Sequence, residues 1–174
     1  MGYSLCWAAV KNGKPEAIHP LLGIRASDVS EEIAKSKIVG AVLLTDWYLV
    51  LLPKKELNDR ILTKLCRLGE VVCCFVEDHV MFNKASGSKN GEFLRSVTHD
   101  CGKGLCHLEI NGDAARSPKM IQAKLVDHIY EVPAELTKDL TGLRHDQDMP
   151  GMKSDRFQVL EKKPLLIRLL GARN

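Results

Sequence analysis

Cysteine and histidine side chains concentrate between residues 70 and 112, and these residue types bind zinc or serve as nucleophile and base. The segment contains Cys73, Cys74, His79, His99, Cys101, Cys106 and His107. Any metal or thiol chemistry in this chain is therefore expected in this segment.

A structural zinc site usually takes four thiolate or imidazole ligands, and the spacing here does not supply them. Cys73 and Cys74 are adjacent, so a strand would point them to opposite faces. Cys101 and Cys106 are separated by four residues rather than two. His99 and Cys101 could share a face and Cys106 could join them across the hairpin, which gives at best three ligands, with His79 as a distant fourth. We therefore predict no metal site and no cofactor.

Thiol catalysis needs a cysteine beside a base, and Cys101 in the sequence HDCGKG is the best candidate nucleophile. His99 precedes it as the candidate base, and Lys103 could lower the pKa of the thiol. The alternative interpretation of this segment is a polar hairpin turn. Glu77 and His79, which flank Asp78, are the candidate residues for acid–base chemistry at another turn.

The elements that position these residues form a predicted antiparallel meander. An apolar run from Val71 to Val76 predicts a strand, and the pair at 77–78 predicts a turn or bulge. Glycine-containing loops are expected at 87–91 and 101–104, and Asn111-Gly112 ends the last strand. The candidate residues therefore lie on strand ends and turns.

The part of the chain before the meander predicts a mixture of strands and short helices. Alternation from Tyr3 to Val10 indicates a central strand that is apolar on both faces. Residues 15–22 predict a short or broken helix that ends at Gly23, and the Asp28 and Glu31 spacing predicts a second short helix through about Ser36. Residues 38–52 predict either a hairpin or one long bent strand.

Two amphipathic helices are expected on either side of the meander. Leu57, Ile61, Leu65 and Leu68 recur at helical spacing before Gly69. A second apolar series predicts a helix at 117–129, followed by a short extended stretch at 130–132 and a last helix that ends at Gly142. The predicted class is α+β, with a mainly antiparallel sheet and helices packed on one face.

We assign residues 1–145 to one α+β domain and residues 146–174 to a linker and an apolar C-terminal tail. The tail carries Leu165, Leu166, Ile167, Leu169 and Leu170, which would expose an apolar patch if left in water. It is expected to dock either on its own domain or on another subunit or a protein partner.

Charge and hydropathy exclude several classes of protein. The net charge of +3 is too small for an electrostatic nucleic-acid surface. No run approaches the roughly 20 apolar residues that span a bilayer. The first residues also lack a secretory signal. A cytoplasmic protein with reduced thiols is expected.

Four segments carry a resemblance: YSLCWAAVKNGKPEAI at 3–18, DWYLV at 46–50, VEDHVMF at 76–82 and VPAELTKDLTGLRHD at 132–146. With them the chain resembles a group of uncharacterised bacterial proteins, which implies a bacterial cytosolic origin and brings no catalytic motif.

Because no catalytic constellation is complete, we expect a non-catalytic protein-binding module of the bacterial immunity or accessory type. The alternative is a small cytosolic thiol or acid–base enzyme, a hydrolase or a transferase, that uses Cys101, His99, Glu77 or His79.

Overall fold

One antiparallel sheet of nine strands organises the described part of the chain, which comprises residues 4–53, 56–116, 129–145, 147 and 151–164 of a computed structural model. The strands are β1 (Ser4–Lys11), β2 (Ile24–Glu31), β3 (Val39–Val42), β4 (Trp47–Leu51), β5 (Glu70–Glu77), β6 (Phe82–Lys89), β7 (Glu92–Asp100), β8 (Glu109–Gly112) and β9 (Phe157–Lys162). The α-helices are α1 (Pro15–Leu22), α2 (Asp59–Cys66) and α3 (Val132–Thr141). The predicted α+β class and antiparallel sheet are confirmed.

The strand order is β2-β9-β3-β4-β1-β5-β6-β7-β8, and every pairing is antiparallel. Strand β1 is central as predicted: Trp7 lies opposite Leu51 of β4 on one side and Cys74 of β5 on the other. The predicted hairpin at 38–52 is also confirmed, because β3 pairs with β4 through a turn in which Asp46 has a φ of 61°.

The meander is confirmed as β5 to β8, in which each strand pairs with the next. The β6–β7 turn consists of Asn90 and Gly91, whose positive φ values of 53° and 87° match the twist of a two-residue hairpin. Gly87, which the sequence places at the start of a loop, lies within β6 opposite Arg95.

The helix ends follow local sequence signals. Helix α1 ends at Gly23 and α3 ends at Gly142, and both glycines adopt the left-handed conformation, with φ of 65° and 82°. At the start of α2, the Asn58 side chain accepts the backbone N–H of Ile61 at 3.1 Å. No described helix has the length and the apolar composition to cross a membrane.

Helices cover both faces of the sheet, rather than the one face that was predicted. We call the face under α1 and α2 the front and the face under α3 the back. Ala8 and Val10 of β1 belong to the front core, whereas Trp7 and Ala9 belong to the back core. Because β1 carries apolar side chains on both of its faces, each face requires a covering layer.

Two segments differ from the predictions. The helix expected from Asp28 to Ser36 is wrong, because β2 continues to Glu31 and the carboxylate of Glu31 then accepts the backbone N–H groups of Lys35 and Ser36 at 2.8 Å each. The short stretch expected to be extended at 130–132 contains a 3₁₀ turn, Ile129–Glu131.

The segment assigned to a linker contributes a strand instead. Strand β9 pairs with β2 on one side and β3 on the other, and it buries Phe157 and Leu160. These two apolar residues are three positions apart, so the sequence shows no strand-like alternation. The helix predicted at 117–129 lies almost entirely outside the described residues, as do the apolar residues at 165–170.

Candidate functional site

The four predicted site residues lie near one end of the meander but on different surfaces. Glu77 ends β5 on the front, where Ser4 Oγ donates a 2.6 Å hydrogen bond to its carboxylate. His79 is exposed in the 3₁₀ turn Asp78–Val80, and Cys101 begins the next 3₁₀ turn with its side chain partly exposed. His99 is only 1% exposed on the back of β7.

His99 contacts the loop that follows its strand and a residue before α3. Its Nδ1–H donates to the carbonyl oxygen of His107 at 2.9 Å, and its ring meets Tyr130 edge-on with centroids 5.5 Å apart. Val97 and Ala85 of the back core have the same strand parity as His99. The bonds of this imidazole thus connect β7 to the loop that follows it, and its strand separates it from the front face.

The HDCGKG segment is an ordered turn. Asp100 Oδ1 accepts the backbone N–H of Gly102 at 3.0 Å, and the backbone N–H of Asp100 donates to His107 Nδ1 at 3.1 Å. The backbone N–H of Cys101 donates to the Met81 carbonyl at 3.3 Å, so this turn is joined to the turn between β5 and β6. These bonds match the polar-hairpin interpretation and supply no base beside Cys101. A catalytic role for the four candidates stays a prediction.

The adjacent cysteines separate as strand parity predicts. Cys73 belongs to the front core and Cys74 to the back core, and burial raises the pKa of both thiols well above the ordinary value. Buried neutral thiols of this kind are poor nucleophiles. Within the described ranges, no group of three or more His, Cys, Asp or Glu residues is arranged to hold a metal ion.

A buried polar cluster on the back ties the β5–β6 turn to the residues before α3. Asn83 is completely buried, and its amide donates to the Tyr130 carbonyl at 3.1 Å while its carbonyl accepts from the Cys74 thiol at 3.9 Å. The Tyr130 hydroxyl donates to the Asp78 carboxylate. Burial and this carboxylate raise the pKa of Tyr130. The cluster satisfies polar groups that the fold buries, which is a structural role.

Among the described residues, the front face of the meander is more accessible to solvent than its back. Along β6, Asn83 and Ala85 are buried on the back, whereas Phe82 and Ser86 on the front are half-buried and Lys84 is exposed. Register therefore gives the same strand one face in the core and one face available for contacts.

Two aromatic rings dominate this open face. Phe75 of β5 and Phe82 of β6 have ring centroids 5.5 Å apart and planes tilted by 47°. With Val80, they line a hollow of about 450 Å³ that is bordered by the carboxyl groups of Glu77 and Asp100. We call this cavity the front hollow.

A second cavity adjoins the front hollow at Phe75. It measures about 350 Å³, and its walls include Cys6, Leu51, Leu52 and Pro53. We call it the side hollow. Phe75 and Ser4 line both cavities, so the two adjoin near the start of β1 and the end of β5.

Phe75 was not predicted as a site residue because it stands in an apolar run, where an aromatic residue is expected in the core. Trp7, Trp47 and Tyr48, which also stand in such runs, are buried. Phe75 differs because it shares strand parity with Glu77, two residues before the turn. Because Phe75 points to the same face as Glu77, which is half-buried at the strand end, the sequence could have placed Phe75 at the margin of the front core that α1 and α2 cover.

The chain matches no protein-family model, no curated protein and no solved structure.

Proposed function

We propose that this chain is a non-catalytic protein-binding module of the bacterial immunity or accessory type, and that the front hollow is the centre of its binding surface. The observation that carries the proposal is the pair Phe75 and Phe82, two large aromatic side chains that pack against each other and stay half-buried on the more accessible face of the meander. Aromatic residues, phenylalanine included, are enriched at protein interfaces, where the side chains that dominate binding energy lie in well-packed pockets.

The surroundings of the two rings support a protein partner. Val80, at the margin of the hollow, is 62% exposed, and Met81 beside it is also exposed. A partner side chain that filled the hollow would remove these apolar groups from water at a gain of roughly 25 cal/mol per Å² buried.

The charge of the hollow supports a polypeptide rather than a nucleic acid. Glu77 and Asp100 carry the carboxyl groups that border it. Carboxylates repel a phosphate backbone, whereas they accept hydrogen bonds from the lysine or arginine side chains of a protein.

The cysteines are consistent with the cytoplasmic location that we propose for this bacterial module. All six are free, and Cys6, Cys66, Cys73 and Cys74 are buried. A reducing compartment preserves such thiols. An adjacent gene that encodes a toxin would support the immunity type, and neighbours that encode only metabolic enzymes would count against it.

The proposal is tested by affinity capture from the organism that produces the chain, with the unaltered protein and a Phe82→Asp variant as baits. We expect a stoichiometric protein partner with the unaltered bait. The Phe82→Asp variant would bury a carboxylate in the interface. It should therefore bind the purified partner about tenfold or more weakly, equivalent to ~1.4 kcal/mol, when the two are titrated by calorimetry.

A Leu44→Asp variant is the matched control. Leu44 is 63% exposed, like Val80, but lies in the turn between β3 and β4, at the opposite end of the sheet. It should retain the partner, and circular dichroism should show that both variants are folded. Equal capture by all three baits would disprove the proposed surface, and turnover of a copurified small molecule that Cys101→Ser abolishes would instead establish the enzyme.

A further inference from the structure

Two of the six cysteines are accessible to solvent, and they stand at the two ends of the loop between β7 and β8. Cys101 is partly exposed and Cys106 is exposed, whereas the other four cysteines are buried. Residues 102–105 separate the two in sequence. Accessible thiols are the ones that a small disulfide molecule can reach, so thiol exchange in this chain is expected at this pair.

The register of β7 and β8 directs these two cysteines toward each other. The last registered pair is Thr98 with Glu109. The same register, continued by three residues on each side of the hairpin, reaches Cys101 and Cys106. Facing residues in an antiparallel ladder have Cα atoms about 4.5–5.5 Å apart. A disulfide requires a Cα separation of roughly 4.4–6.8 Å, so the pair lies within the range for a bond.

Side-chain hydrogen bonds keep the two sides of the hairpin together beyond the last ladder pair. The Nδ1–H of His99 donates to the His107 carbonyl at 2.9 Å, and the backbone N–H of Asp100 donates to His107 Nδ1 at 3.1 Å. Asp100 precedes Cys101 and His107 follows Cys106. The base of the loop is therefore fixed at the residues next to both cysteines.

The loop between the cysteines folds back on itself and is exposed. The backbone N–H of Gly104 donates to the Cys101 carbonyl, and that of His107 donates to the Gly104 carbonyl, both at 3.0 Å. Residues 102–105 are all exposed, and Leu105 reaches 75%. Gly104 has a φ of 139°, and apart from its chain neighbours no described atom lies within 4 Å of the place that a Cβ would take. The loop can therefore adjust to bring two sulfur atoms into bonding distance without disturbing the core.

We infer that Cys101 and Cys106 form a reversible disulfide by exchange with small-molecule disulfides of the glutathione class. The inference does not depend on the proposed binding function. It also pairs Cys101 with a second thiol rather than with the imidazole of His99. In a reducing compartment such a pair remains as thiols until the ratio of glutathione disulfide to glutathione rises.

The exchange proceeds in two balanced steps. The Cys106 thiolate, which is the more exposed, attacks one sulfur of glutathione disulfide, so that the sulfur–sulfur bond breaks and one glutathione leaves as a thiolate. The Cys101 thiolate then attacks the Cys106 sulfur, and the second glutathione leaves. The two protein thiols lose two protons and two electrons, and glutathione disulfide is reduced to two glutathione thiols.

Mass spectrometry of the full chain tests the inference. The chain is incubated at several ratios of glutathione disulfide to glutathione, the remaining thiols are alkylated, and the protein is digested with trypsin. Because trypsin cleaves after Lys103, the disulfide joins the peptide of Cys101 to that of Cys106. Isotopically heavy and light chains are mixed beforehand. We expect a bond within one chain as the main oxidised product, with the four buried cysteines recovered as thiols.

Three variants show whether the second step takes place. In Cys101→Ser, glutathione should stay attached to Cys106, because no second thiol displaces it. This adduct should be at least about tenfold less abundant in the original chain, where Cys101 is held nearby at a high effective concentration. Cys66→Ala, which removes a buried thiol, is the matched control and should form the bond as the original chain does. Cys106→Ser should form no bond, and circular dichroism should show that all three are folded.

Three results would overturn the inference. The first is an original chain that keeps the glutathione adduct on Cys106 as fully as Cys101→Ser does, since the loop would then not bring the second thiol to the first. The second is a bond that joins heavy chains to light ones or connects either cysteine to a buried one. The third is the recovery of both cysteines as thiols after incubation with glutathione disulfide alone.

Discussion

Strands β1 and β6 lie two positions apart in one sheet, yet β1 is buried on both faces and β6 on only one. Residues Cys6 to Val10 of β1 are all buried, whereas buried and accessible positions alternate along β6. Helices α1 and α2 complete the front core over β1, and α3 covers the back of the meander. The difference shows that the limits of the front helices determine where the sheet is a core and where it is a surface.

Replacing one aromatic residue in each region gives the largest expected contrast. Trp7 is 1% exposed in the back core, so Trp7→Ala should lower the free energy of unfolding by about 3–5 kcal/mol. Phe82→Ala, in the half-buried position, should cost about 1 kcal/mol. Urea unfolding followed by circular dichroism measures both.

Trp7→Phe is the control for the first substitution. The indole Nε1 is buried without a hydrogen-bond partner among the described residues, so its removal should offset part of the lost packing. Equal losses for Trp7→Ala and Phe82→Ala would contradict the distinction between the two regions.

The two faces of β6 provide a contrast of intermediate size. Asn83→Leu removes the amide that bonds to the Tyr130 carbonyl on the back, and should cost about 1–3 kcal/mol because it leaves buried polar groups without partners. Lys84→Leu, one residue later on the open front, should change the free energy of unfolding by less than about 0.5 kcal/mol. A larger loss at Lys84 would show that the front is not open.

The smallest expected contrast concerns the region that α1 covers, where only the pH is changed. Burial lowers the pKa of His19, with Glu16 opposing this shift and Lys163 adding to it, and His19 Nε2 is hydrogen-bonded to the Tyr48 hydroxyl at 2.6 Å. Because the unfolded chain binds the proton more readily, this group leaves stability unchanged above its ordinary pKa of 6.5 and lowers it as the pH falls below that value. The loss should stay below about 1 kcal/mol, since the ring is only partly buried.

Urea midpoints measured between about pH 7.5 and pH 5.5 would show this decrease. A His19→Gln variant should lose the part of the pH dependence that belongs to this ring. If the variant and the original chain show the same slope, His19 is not the group responsible, and the covered front contains another acid-sensitive contact.

Local signals predicted much of the fold. The Val71–Val76 run, the Asn90-Gly91 turn and the glycines after α1 and α3 each act within a few residues, so the meander and the helix ends could be located from sequence. Strand β9 could not, because its pairing with β2 and β3 joins residues more than 100 positions apart and its apolar residues do not alternate. The separation of Cys73 from Cys74 followed from strand parity alone.

The candidate site was less predictable than the fold. Residue types drew attention to Cys101 and His99, but the structure assigns the His99 imidazole to a backbone bond with the following loop. Phe75 and Phe82 have no chemical signature in sequence. They became candidates only because the strand register places them side by side beyond the covered region.

The sequence by itself determined β1, the hairpin at 38–52, the strands of the meander and which side chains share a strand face, because these properties depend on neighbours within a few positions. The tertiary structure alone decided that β9 enters the sheet between β2 and β3, that helices lie on both faces and that the front of the meander keeps half-buried and exposed side chains. Burial depends on which distant element packs above a residue, and a one-dimensional pattern does not contain that information.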